Sequence, residues 1–186
     1  MLKLLSKTIL KLIGWQLDVT MPKEKKFVLI GAPHTSNWDF PLGLLVFGAV
    51  DIKVHWVAKI QLFRGPLNYI FTALGGIPVD RSAANGFIEQ IADRFKQSDE
   101  MALTIAPEGT RSKTKVWKTG FYYIALTAKV PICLGYADYA NRSIGFSKTI
   151  MPSGDIEKDF AEIKLFYQDI KGKYPEKQSE ITIKPS

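Results

Sequence analysis

The sequence predicts an α/β fold: a mostly parallel central sheet flanked by helices, in one domain spanning residues 1–186. Two observations predict it. From Phe27 onward, short apolar runs alternate with stretches of helical periodicity, each set off by Gly, Pro or polar residues. A chain of 186 residues, 46% hydrophobic and 23% charged, also has the length and composition of a single domain with a sizeable core.

The elements follow in order. Residues 1–20 read as an N-terminal amphipathic helix, 27–173 as the α/β core and 174–186 as a polar tail held by local docking. Phe27–Ile30 is a short strand ending in Gly31-Ala32-Pro33, and Pro41 suits the first turn of an apolar helix over Phe40–Val50. Lys53–Lys59 alternates, with Val54, Trp56 and Ala58 on one face, and reads as a strand. Pro66 opens a helix that Gly75-Gly76 stops after Leu74, and Ile77–Val79 is a short strand. Phe87, Ile88, Ile91 and Phe95 repeat at helical spacing. Met101–Ile105 is a buried strand, Phe121–Lys129 a helix and Pro131–Tyr136 the next strand. A turn at Asn141-Arg142 leads to a weaker strand around Ile144–Ile150. Ile156, Phe160, Ile163, Tyr167 and Ile170 then mark a last helix ending near Gly172.

Composition narrows the function. One cysteine, Cys133, excludes an internal disulfide, and with only two histidines the chain cannot build a Cys/His zinc site, so the cytoplasm is the default compartment. The longest uncharged apolar run, Phe40–Val50, is too short to span a bilayer. Lys3, Lys7 and Lys11 interrupt the N-terminus too often for a signal peptide. The net charge is +7, of which +4 lies in residues 1–26. On a helix those three lysines line one face, and Leu2, Leu5, Ile9 and Leu12 another. Two readings stand side by side: a helix lying in the bilayer interface, or one capping the domain's own core. Nucleic acid ranks below both, because no helix-turn-helix, RNA-binding sheet motif or zinc module accompanies the basic charge.

Three loops carry residues with chemistry. In Pro33-His34-Thr35-Ser36-Asn37-Trp38-Asp39, a strand-to-helix turn can bring the Asp39 carboxylate to the His34 imidazole. A carboxylate on one ring nitrogen fixes the tautomer and favours the imidazolium formed when the other nitrogen accepts a proton, which is the arrangement of a general base. The simpler reading has Asp39 capping the helix and His34 as a polar loop residue. In Gly75–Ser82, Arg81 follows a short strand, where its planar fork suits a phosphate. A surface Asp80–Arg81 pair explains it equally well. In Ala106–Ser112, the residues Glu108, Gly109, Thr110 and Arg111 put a carboxylate, flexible backbone, a hydroxyl and a guanidinium together at a strand end. Lys113, Lys115 and Lys118 extend the positive charge, or are simply solvated. His55, on a strand without a carboxylate nearby in sequence, reads as structural, and Cys133 as a small buried hydrophobe.

Taken in order, these loops resemble the glycerophospholipid acyltransferase family, the lysophosphatidate acyltransferase-like proteins with a His-x4-Asp motif. His34…Asp39 is similar to the catalytic block, and Gly76-Ile77-Pro78-Val79-Asp80-Arg81 to the second, with its arginine near the acceptor phosphate. Glu108-Gly109-Thr110-Arg111-Ser112 matches the third block, and Val130-Pro131-Ile132 resembles the fourth. The similarity runs from about Phe27 to Tyr136, with Lys59, Gly65 and Pro66 in their family places. Pro33 before His34, and Asn37-Trp38 before Asp39, depart from members acting on lysophosphatidate.

The resemblance implies a glycerolphosphate-acyltransferase-like fold and an O-acyltransferase of phospholipid biosynthesis. Acyl-CoA or acyl carrier protein would be the donor and a lysophospholipid-like molecule the acceptor. His34 would be the base, Asp39 its orienting partner, and Arg81, Glu108, Gly109, Thr110 and Arg111 the substrate-binding residues, with no metal or other cofactor. Phe40–Val50 and Leu62–Leu74 are candidate walls of an acyl tunnel, or plain core helices. The protein would sit peripherally at the cytoplasmic face of a membrane, through its N-terminal helix. A thioesterase using the same His/Asp pair and a non-catalytic basic membrane-binding module are the alternatives.

Overall fold

An apolar run without polar alternation needs cover on both faces, and Phe27–Ile30 receives it at the centre of the sheet. The computed structural model describes residues 1–79 and 86–184. In chain order its elements are α1 (Leu2–Leu12), β1 (Gln16–Val19), β2 (Lys26–Gly31), α2 (Asp39–Val50), β3 (Val54–Lys59), α3 (Leu67–Ala73) and β4 (Gly76–Val79). They continue with α4 (Phe87–Gln97), β5 (Met101–Ile105), α5 (Gly120–Ala128), β6 (Ile132–Asp138), β7 (Ser143–Ile150) and α6 (Ile156–Tyr167). The strands form a seven-stranded sheet in the order β1-β7-β6-β2-β5-β3-β4. Every pair is parallel except β6 with β7, which a short turn at Asn141-Arg142 joins as an antiparallel hairpin.

The two faces of β2 feed two cores. Val28 and Ile30 pack with Leu103, Ile132 and Leu134 beneath α4, α5 and α6, which contribute Ile91, Phe95, Phe121, Ile124, Phe160 and Ile163. Phe27 and Leu29 pack with Ala102 and Cys133 beneath α1 and α2, which contribute Leu10, Leu42, Val46 and Ala49. The carboxyl ends of β2 and β5 therefore point the His34 and Glu108 loops to the same edge of the sheet, where open α/β sheets take their ligands.

The N-terminal segment differs from the sequence reading. The N-terminal helix stops at Leu12 rather than near residue 20, because Gly14 takes a positive φ of 77° and turns the chain into β1. β1 alternates over only four residues, with Leu17 and Val19 toward the core, too short a run to stand out beside the helix before it. It docks because Gly145 on β7 has no side chain: a Cβ there would lie 1.7 Å from the Asp18 carbonyl oxygen. Asp18 also accepts a hydrogen bond from the Tyr136 hydroxyl. The side of α1 that meets α2 is the row Ser6 and Leu10, with Ser6 seated against Gly48, where a Cβ would fall 2.5 Å from the serine oxygen. Leu5 and Leu12, expected on a single apolar face, are exposed beside that row. The C-terminal segment lies against the domain. Thr114 N–H donates to Ser179 Oγ at 2.9 Å, Trp117 N–H to the Thr182 carbonyl at 2.8 Å, and Ile181 and Ile183 reach the larger core.

Candidate active site

The chain leaves β2 through Ala32-Pro33, whose peptide bond is cis, and turns over His34–Trp38 into α2. Asp39, the first residue of α2, organises this turn. Its Oδ2 accepts from the backbone N–H of Thr35 at 3.1 Å and of Ser36 at 3.0 Å, and lies 2.9 Å from His34 Nδ1. Asp39 does not cap α2, whose N-terminus carries no side-chain cap; it ties the preceding turn and the His34 ring to one carboxylate oxygen, so of the two readings left open by its spacing the structure shows the orienting one. With Nδ1 held by the carboxylate, Nε2 is the nitrogen left to take a proton from a substrate. The half-buried His34 ring stays within reach of solvent.

The third loop reaches the same place from β5. Glu108 is buried, and its Oε1 accepts the His34 backbone N–H at 3.1 Å, while Oε2 has no hydrogen-bond partner among the described residues. Burial pushes its carboxyl up to about 7; the His34 N–H and the nearby imidazole pull it back only in part. Glu108 therefore supports the His34 turn from below and does not line the open cavity. Gly109 has a positive φ of 64° and packs against Lys118, so a larger residue would be strained there. Thr110 Oγ1 accepts the Ser112 N–H at 3.3 Å, within its own turn. Arg111 alone of this loop's expected substrate-binding residues lines the cavity beside His34. Arg81, expected at the acceptor phosphate, lies outside the described residues, and His55 remains on β3 away from the cavity wall.

That cavity, about 550 Å³, runs between α2 and the sheet. His34, Asn37, Asp39 and Arg111 lie on its wall. Phe40, Gly43 and Phe47 from α2, Trp56 from β3, and Phe71 and Leu74 at α3 make much of the rest apolar. Both segments suggested as tunnel walls thus contribute. Trp56 is the hub of its aromatic side, with ring centroids 5.1 Å from Phe40 and 5.6 Å from Phe71. Size, apolar lining and a few convergent polar groups are the usual marks of a site for an organic ligand.

Two contributors have no signal in the sequence. The Tyr139 hydroxyl donates to Asp39 Oδ1 at 2.8 Å from a position 100 residues away. The tail reaches the His34 turn as well: Tyr174 N–H donates to Thr35 Oγ1 at 3.2 Å, and Lys173 sits over the exposed Trp38 ring, 5.2 Å from its centroid. Among the described residues, no group of three or more His, Cys, Asp or Glu is arranged to hold a metal ion.

No curated protein matches the chain. Among solved structures it is similar to the 1-acyl-sn-glycerophosphate (LPA) acyltransferase PlsC of Thermotoga maritima, with a TM-score of 0.57 and 16% identity, over 87% of this chain and 74% of that one. At that identity the likeness is one of fold: the α/β fold with its mostly parallel sheet expected from the sequence. The acyltransferase family model matches residues 17–133, which hold His34, Asp39, Glu108 and Arg111, and the chain belongs to the acyltransferase family.

Proposed function

We propose that the protein transfers a fatty acyl group from a thioester, acyl-CoA or acyl-acyl carrier protein, to a hydroxyl of a lysophospholipid-like acceptor. The observation that carries this reading is the 2.9 Å His34–Asp39 pair on the wall of an apolar cavity of about 550 Å³. His34 Nε2 takes the acceptor's hydroxyl proton as the oxygen attacks the thioester carbonyl carbon. The C–S bond then breaks, and the imidazolium returns the proton to the leaving thiolate. Asp39 stabilises the imidazolium between these steps. No acyl-enzyme is needed, since Cys133 is fully buried in the sheet and burial pushes its thiol up to about 11. Arg111, and Arg81 by its place in the sequence, would meet the acceptor's phosphate, and Lys113 and Lys115 are further cations for phosphate groups of the donor. Glu108 would act through the His34 turn.

Peripheral contact with an anionic membrane surface belongs to the same proposal. Among the described residues no helix is long and apolar enough to cross a membrane. α1 nevertheless leaves Leu2, Leu4, Leu5 and Leu12 exposed together with Lys3, Lys7 and Lys11, a composition suited to the interface. Large exposed hydrophobics also crowd α3 next to the cavity, at Leu67, Tyr69 and Ile70.

The test is product-resolved turnover by mass spectrometry, with acyl-CoA and acyl-acyl carrier protein offered against a panel of lysolipids to wild type and His34→Ala. A diacyl product that requires His34 is expected. Release of free acid alone, in the presence of acceptors, would turn the assignment to a thioesterase. For the membrane arm, Leu5→Ser/Leu12→Ser is expected to lose co-sedimentation with anionic vesicles, and unchanged co-sedimentation would refute the interfacial role of α1.

A further inference from the structure

Orienting a catalytic imidazole takes more than a carboxylate nearby, because a carboxylate free to rotate about its own bond presents its oxygens in many directions. Three donors fix Asp39 Oδ2 or depend on it: the N–H groups of Thr35 and Ser36, and His34 Nδ1. All lie in one turn and all engage one oxygen. The plane of the carboxylate is set only when the other oxygen is held too, and Tyr139 holds it, its hydroxyl 2.8 Å from Oδ1.

Tyr139 is itself held from several directions. It follows β6, where Asp138 Oδ1 accepts from Ala140 N–H at 3.1 Å and Lys171 N–H at 3.3 Å and so fixes the turn. The Tyr139 N–H donates to the Lys171 carbonyl at 2.9 Å. Its ring stands edge-on to Trp15, with centroids 4.9 Å apart, and Trp15 is buried at the end of the connection from α1 to β1. The hydroxyl thus sits at a junction of β6, the N-terminal segment and the chain beyond α6.

We propose that Tyr139 is a positioning residue of the His34–Asp39 pair, fixing the plane of the Asp39 carboxylate and tempering the basicity it lends to His34. A hydroxyl donated to a carboxylate spreads its negative charge. Losing that donor leaves Oδ2 beside His34, still engaged by Thr35 and Ser36, but frees the carboxylate plane and leaves its charge less neutralised, so the imidazolium becomes easier to form and less well oriented. Burial and the Asp39 carboxylate hold the Tyr139 phenol above its ordinary value, so it remains a donor at physiological pH. The other ionisable groups around the pair are Glu108 below His34, Arg111 on the cavity wall, Tyr174 facing Tyr139, Lys173 over Trp38, and Asp138 and Lys171 at the Tyr139 turn. None is altered by Tyr139→Phe, which removes one oxygen and keeps the ring against Trp15.

The inference rests on His34 being the base, but its first readout needs no turnover. The chain has two histidines, so the imidazole signals of isotope-labelled protein can be followed through a pH titration by NMR. In Tyr139→Phe the His34 midpoint is expected to move upward, with the His55 signal on β3 as the internal reference. In the diacyl-product assay kcat is expected to fall roughly tenfold, the scale of one hydrogen bond to a charged group, with KM unchanged and the acid limb displaced in the same direction. A His34 midpoint equal to that of wild type would overturn the proposal, whatever the activity. So would a pair of variants in which Tyr139→Phe keeps full turnover and only Tyr139→Leu, which also removes the ring, loses it. If wild type proves inactive with every substrate pair, the acyl-transfer reading fails while the titration still decides the role of Tyr139.

Discussion

On the face of the sheet covered by α4, α5 and α6, the buried carboxylate of Asp159 accepts from the Tyr122 hydroxyl at 2.8 Å, Ser153 N–H at 2.7 Å and Ser153 Oγ at 2.9 Å, and the Tyr122 oxygen accepts from Gly154 N–H at 3.1 Å. Tyr167, fully buried in the same core, donates to the carbonyls of Ile30 and Gly135. On the opposite face, α2 stands over a cavity of about 550 Å³, and at the sheet edge Glu108 is buried with one oxygen lacking a partner among the described residues. Both regions bury carboxylates. One satisfies its carboxylate completely and gains rigidity; the other leaves polar groups and space open to a ligand. A packed side whose buried carboxylate is held by several donors fixes the strands, so that the loops at their carboxyl ends can hold a site.

Substitutions should separate the two regions. The largest effect on chemistry is expected from His34→Ala: kcat lower by about 10²-fold to 10⁴-fold, the range of lost general acid–base catalysis, with the thermal midpoint little changed because the ring is only half-buried. Asp159→Ala should do the reverse. It strands the Tyr122 hydroxyl and the Ser153 N–H and is expected to lower stability in urea by about 2–4 kcal/mol, with the folded fraction retaining its turnover. If Asp159→Ala cut kcat in fully folded protein, the division between a structural and a functional side would fail.

The same division explains what the sequence disclosed. Strand–helix alternation marks β2 through α6 because most elements there bury a continuous or periodic apolar face in their own sequence; α3 is apolar without burying a residue. β1 escapes because four alternating residues are too short a signal and its docking depends on a missing Cβ at Gly145, a residue of another strand. In the site, His34 and Asp39 are legible because one turn joins them, and Arg111 because a strand end carries it to the cavity. Tyr139 is not, since its partner lies 100 residues away and an aromatic residue after a strand carries no mark of its role. Glu108 illustrates a third case: its position was legible, but its orientation, inward against the His34 backbone, follows from burial that only the fold reveals.

Glu108 also gives the comparison a pH dependence. Its carboxyl is raised from 4.5 to about 7 by burial, so between those values the folded chain keeps a proton that the unfolded chain releases. The native state then binds more protons than the unfolded one, and stability falls as pH rises through this window, by up to about 3 kcal/mol on an order-of-magnitude basis. Below pH 4.5 this contribution is fully present; above about 7 it is lost. Glu108→Gln keeps an oxygen for the His34 N–H and has no proton to lose. Urea unfolding of both proteins from pH 4.5 to pH 7.5 should therefore show the variant gaining on wild type as pH rises, through about the stated amount. Parallel stability curves would mean that the buried carboxylate finds a compensating partner, and the partly satisfied character assigned to this edge would be wrong.

The smallest expected effect concerns two glycines of α2 that lie on opposite sides of the same question. At Gly48 an added Cβ would fall 2.5 Å from Ser6 Oγ, so that position exists for the packing of α1. At Gly43 the nearest atom to an added Cβ is Phe47 Cε2, 3.8 Å away, and the residue lines the cavity. Gly43→Leu should consequently be accepted by the fold, with a helix-propensity gain of about 0.5–1 kcal/mol offsetting any crowding, while the new side chain occupies space available to an acyl chain. With donors of increasing length, kcat/KM is expected to fall roughly tenfold for the long ones, the scale of one or two displaced methylenes, and to hold for the short ones. An equal loss at every length would place the acyl chain elsewhere. The cavity would then have to be read as space for the acceptor, because its wall carries both the proposed base and Arg111 and must hold one of the two substrates for His34 to act.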